Sequence, residues 1–133
     1  MTITKQSAFT IKHWDEVQNT DWKAGKLTRT LATKEFTGQL TGTAVLEAVM
    51  LRLEGNQGAM AYVGVEHVSC TVDGRTGTFV LVHNAEALGN ERSATWKILP
   101  GSGTGELAGI SGYGKISPNH EFTLVYELPP DKA

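Results

Sequence analysis

Along this chain, short segments rich in Val, Thr, Leu and aromatic residues recur between scattered glycines, the texture of β-strands joined by tight turns. The pattern predicts strands over Ala8–Trp14, Lys26–Phe36, Gln39–Glu54, Ala59–Val72, Gly77–Leu88, Glu91–Leu99, Gly112–Ser117 and Glu121–Leu128. Helix signals are almost absent. Gly55-Asn56-Gln57-Gly58, Asp73-Gly74, Gly89-Asn90 and Ser117-Pro118-Asn119-His120 lie between strands and carry residues that tolerate positive φ or start turns, so consecutive strands should pair as hairpins. About eight such strands suit an all-β, closed antiparallel barrel whose interior holds side chains or one small ligand. The polar stretch Asn19–Gly25 is expected to be a loop, and Pro129–Ala133 cannot continue a ladder.

The segment Gln39–Glu54 does not alternate cleanly. Leu46, Ala48 and Met50 point one way, while Val45, Val49 and Leu51 point the other. A barrel standing alone should have a wet outside, so apolar residues on both faces predict contact with another subunit or with a flanking segment, and a homo-oligomer is expected.

Strand parity then proposes an interior. With an even loop at Asp73-Gly74, Glu66 and His83 share a face, opposite or one diagonal apart; the two-residue turn Gly89-Asn90 sets His83 opposite Trp96 and Leu81 opposite Ile98. An even loop between Glu54 and Ala59 would add Glu47, Val49 and Leu51 beside Tyr62, Gly64 and Glu66. The resulting lining runs Val45, Glu47, Val49, Leu51, Met60, Tyr62, Glu66, Val68, Cys70, Phe79, Leu81, His83, Ala94, Trp96 and Ile98. It places two carboxylates and an imidazole among aromatic rings, and close buried carboxylates raise at least one pKa, the setting of a general acid or base. The competing reading is a wet barrel mouth, or structural ion pairs with Arg29, Arg52 or Arg75. Glu47, Tyr62, Glu66, His83 and Trp96 are the candidate ligand-binding residues; no catalytic residue is assigned.

Composition narrows the alternatives. The 133 residues suit one domain, with a core from about 8 to 128, large enough to need no staple. A net charge of −2 with 12 scattered Lys and Arg leaves no basic footprint for nucleic acid, and no apolar run is long enough for a membrane span or signal peptide. The single cysteine, Cys70, excludes an internal disulfide, reads as a small buried hydrophobe and fits the cytoplasm.

Other motifs carry little. Gly101-Ser102-Gly103-Thr104-Gly105-Glu106-Leu107-Ala108-Gly109 contains a G-x-G-x-x-A match, but Gly109, Gly112 and Gly114 leave no helix to receive a pyrophosphate, so a structural turn or bulge is expected. His67 and Cys70, three apart on a strand, face opposite ways and should not share an ion. His13 and His120 read as solvated, and neither a serine elbow nor a phosphate-binding loop occurs. No metal and no cofactor is expected.

Taken together, Phe36-Thr37-Gly38, Tyr62-Val63-Gly64-Val65-Glu66, Gly74-Arg75-Thr76-Gly77-Thr78-Phe79-Val80-Leu81-Val82-His83 and the glycine-rich run 101–109 resemble the bacterial family called domain of unknown function 3224, from about Ala8 to Leu128. The resemblance implies an eight-stranded antiparallel barrel like that of allene oxide cyclase, shared more loosely with plant dirigent proteins, in which oligomers are common. It transfers no activity. Three functions remain in view: a binder of a small, largely apolar molecule, a cyclase or isomerase of the allene oxide cyclase kind using Glu47 or Glu66, and a structural protein with a filled interior.

Overall fold

A computed structural model describes residues 2–22, 25–55, 58–117 and 119–130. Its strands are β1 (Ile3–Trp22), β2 (Gly25–Gly38), β3 (Leu40–Leu53), β4 (Met60–Val72), β5 (Arg75–Leu88), β6 (Glu91–Ile98), β7 (Thr104–Gly105), β8 (Ser111–Ile116) and β9 (Glu121–Glu127). All pairings are antiparallel, and the order β4-β3-β2-β1-β9-β8-β6-β5, closed by β4 against β5, makes an eight-stranded barrel; β7 adds to β5.

Turn chemistry sets the registers that matter. Asp73 (φ 53) and Gly74 (φ 73) make the two-residue turn whose paired positive φ values match the twist of the flanking strands, so Val72 pairs with Arg75. Likewise Leu88 pairs with Glu91 across Gly89-Asn90, which sets His83 against Trp96 and Leu81 against Ile98, as parity predicts. The β3–β4 connection differs: Leu53 N–H donates to the Ala59 carbonyl, leaving residues 54–58, an odd count, in the loop. Within that loop, Asn56 and Gln57 lie outside the described residues. One residue of slip turns a whole strand over. Ala44, Leu46, Ala48 and Met50 therefore face inward, whereas Val45, Glu47 and Val49 are exposed outside.

β1 is also longer than expected. Asn19–Trp22 continue the strand, and within the expected loop only residues 23 and 24 lie outside the description. β1–β5 are long, while β6, β8 and β9 are short. Among the described residues, β1 pairs with β9 only from Ile3 to Ala8, extended by a bond from Phe9 N–H to the His120 carbonyl, and β6 pairs with β8 only at Trp96 and Lys97.

The barrel is consequently sealed at one end and parted at the other. At the sealed end Phe36, Leu40, Val72, Phe79, Ile98, Phe122, Leu124 and Tyr126 pack together, and the glycine-rich run folds beneath them so that Leu107 and Ile110 plug the base. There Tyr126 donates its hydroxyl to Asp73, which also pairs with Lys5 at 2.8 Å, tying the β4–β5 turn to β1 and β9. At the parted end a smaller apolar cluster, Ala32, Leu46, Ala48 and Met50 with Tyr62, lines the wall.

Candidate functional site

Between the two apolar clusters lies one polar layer. β2 contributes Lys34, β4 contributes Tyr62 and Glu66, β5 contributes His83 and β6 contributes Trp96, each on the inward parity of its strand. Glu66 is 1% exposed, His83 2% and Lys34 7%. His83 Nε2 lies 2.7 Å from Glu66 Oε1, and Lys34 Nζ lies 3.2 Å from Glu66 Oε2. The second contact is an ion pair between two side chains that are both almost wholly buried. Lys34 Nζ also stands 5.0 Å from the centre of the Phe9 ring, a cation–π contact.

The network continues toward the opening. The Tyr62 hydroxyl is 3.2 Å from His83 Nδ1, and Trp96 Nε1–H donates to that hydroxyl at 3.1 Å. An indole can only donate, so Tyr62 accepts from Trp96 and has its own proton free for His83 Nδ1. An accepting Nδ1 puts the imidazole proton on Nε2, where it donates to Glu66. One direction of donation thus runs from Trp96 through Tyr62 and His83 to the carboxylate.

Charge balance agrees. Burial pushes the Glu66 carboxyl up, but the His83 hydrogen bond and the Lys34 charge outweigh it and hold the pKa below the ordinary value. Burial lowers the His83 pKa more than Glu66 raises it, leaving a neutral ring. Lys34 already neutralises Glu66, so a second cation would leave the layer with uncompensated charge. Burial raises the Tyr62 pKa, which keeps the phenol protonated.

Tyr62 and Trp96, both only partly buried, are where this layer meets open space. With Met60, Ala85, Ala87 and Ala94 they line a cavity of about 210 Å³, with Arg92 at its rim. Where β6 and β8 part, a second opening of about 560 Å³ is lined by Ala94, Trp96, Gly114 and Tyr113, so Ala94 and Trp96 border both. Gly64, opposite His83, helps keep the layer uncrowded, since a Cβ there would lie 2.8 Å from the Ala48 methyl.

Of the five candidate residues, Tyr62, Glu66, His83 and Trp96 come together. Glu47 does not: it stands on the outer face, beside a shallow depression shared with Arg29 and Val49, because the odd β3–β4 loop turns its strand over. Glu66's cationic partner is Lys34, in place of the arginines considered above; Arg52 instead pairs with Glu16 at 2.7 Å. Lys34 lies on the face of β2 that also carries Thr28, Thr30, Ala32 and Phe36, and its two-residue spacing from Ala32 and Phe36 is the signal that could have found it. Cys70 is buried and its thiol is pushed up to about 11, which leaves it unreactive.

Fold and site define an eight-stranded antiparallel barrel with a buried Lys–Glu–His layer capped by a tyrosine and a tryptophan. The chain belongs to the family described as protein of unknown function DUF3224, whose model matches residues 5–129. It is similar to the crystal structure of a protein of unknown function from that family in Shewanella oneidensis MR-1, at 25% identity and a TM-score of 0.87 over 98% of this chain and 100% of that one. No curated protein matches. Among the described residues, no helix is long and apolar enough to cross a membrane.

Proposed function

We propose that the protein binds a small, largely apolar molecule at the parted end of its barrel, with Trp96 and Met60 as apolar wall and the Tyr62 hydroxyl as the polar anchor. Glu66 and His83 act through Tyr62, setting which way its proton points. One observation carries the reading: a buried ion pair and imidazole lead to a single hydroxyl at the edge of a mostly apolar cavity, whose other polar lining is Glu86, Arg92 and Ser93. Replacing a buried ion pair by apolar side chains of similar volume is often neutral or stabilising, so packing is a weak reason for this layer. The buried free cysteine suits a reducing cytoplasm.

Titration with 8-anilinonaphthalene-1-sulfonate tests this directly. One saturable site is expected, and Trp96→Ala should weaken it about tenfold, while Val45→Thr on the outer face leaves it unchanged. Equal binding by wild type and Trp96→Ala would remove the cavity from the account.

The continuous donor chain from Tyr62 to a buried carboxylate supports a second reading, a proton-transferring isomerase or cyclase in which Tyr62 exchanges the proton and Glu66 stabilises the relay. Glu47, facing outward, has no part in it. Tyr62→Phe separates the two readings: a catalyst loses turnover while still binding its substrate, whereas a binder shows no turnover to lose.

A further inference from the structure

The outer face of β1–β6 is unlike an ordinary barrel surface. Cross-strand register sets Val17, Arg29, Val49, Val63 and Asn84 in one row and Asp15, Leu31, Glu47, Val65, Val82 and Lys97 in the next, with Val45 adjoining. Seven of these positions are Val or Leu, exposed by 38 to 57%, on a sheet that needs none of them for its core. Scattered surface valines are ordinary; a contiguous block is not.

The geometry points to this face as the contact between two copies of the chain, packed sheet against sheet. Two observations choose a second copy over a foreign partner. The charges in the two rows balance, Arg29 and Lys97 against Asp15 and Glu47, with Arg29 and Glu47 set diagonally among the valines. A two-fold axis passing between Arg29 and Glu47 sets each of these two over its opposite on the other copy, the self-complementarity an isologous interface requires. Second, the seven apolar side chains expose roughly 500 Å², and with their polar neighbours approach the ~800 Å² per partner of a stable association. Two shallow depressions flank Glu47, of about 430 and 290 Å³, and offer room for a partner's side chains.

Sedimentation equilibrium of the full chain at micromolar concentration tests the assignment. A dimer or higher multiple is expected, and Val65→Glu should shift it to monomer with an unchanged far-ultraviolet circular dichroism spectrum. Arg29→Glu and Glu47→Arg should each weaken association at least tenfold, and the double exchange should restore it, a readout that stands even if Val65→Glu fails to fold. A wild type that stays monomeric, including one that instead partitions onto phosphatidylcholine vesicles, overturns the proposal. So does an oligomer unmoved by both charge reversals.

Discussion

Glu66 shows what a buried charge requires. Its carboxylate is bracketed by Lys34 and His83, so removing one partner leaves the other stranded, at a cost of about 3–5 kcal/mol, whereas removing both charges together is far milder. Urea denaturation should therefore find Lys34→Met strongly destabilised and the double variant Lys34→Met, Glu66→Gln restored toward wild type. The same layer sets a pH dependence. His83 has a folded pKa below its unfolded value of 6.5, so the unfolded chain takes up its proton first, and stability falls as pH drops through 6.5 toward the folded pKa. Glu66, also depressed from its ordinary 4.5, adds a loss of the same sign at lower pH, as pH falls through its folded pKa. Calorimetry from pH 8 to 4 should show the melting temperature declining from just below neutrality, with His83→Asn losing the upper part of that decline. A stable plateau from pH 7 to 5 would show that the imidazole carries its charge in the fold.

At the scale of the strand, hairpins with short, strongly marked turns were legible and the longer one was not. Asp73-Gly74 and Gly89-Asn90 admit one register each, which is why Glu66, His83, Trp96, Leu81 and Ile98 fall where parity puts them. The run from Glu54 to Ala59 holds two glycines and admits an even or an odd count, and β3 could not arbitrate because both its faces are apolar. Its outward Val45 and Val49, excess for a lone barrel, are as apolar as its inward Leu46 and Met50; the inward place of Lys34 is hidden for a similar reason, since Leu27 and Leu31 blur the alternation of β2. The β3 orientation has its own test. Leu46→Ala should cost about 2–5 kcal/mol because it empties the core, while Val45→Ala on the outer face should stay within about 0.5 kcal/mol, both measured in the monomeric Val65→Glu background. Gly64→Val should cost about 1–3 kcal/mol by driving a side chain into Ala48. Equal costs at 45 and 46 would mean the strand faces the other way.

On the scale of the molecule, unequal strand lengths divide the labour. Short β6, β8 and β9 let the barrel close and pack solid at the base, and their early ends leave the opposite mouth open beside Trp96 and Tyr62. The filled-barrel reading thus describes one half of the lumen and the binding reading concerns the other. The barrel was legible from strand count and turn spacing; the division into halves was not, because it depends on where pairing stops between β1 and β9 and between β6 and β8. Native mass spectrometry of protein purified without detergent tests the central claim most directly. The account predicts a species heavier than the polypeptide by one small molecule per chain, lost in Trp96→Ala and depleted in Tyr62→Phe. Masses equal to the bare chain or its multiples, in wild type and variants alike, would contradict it.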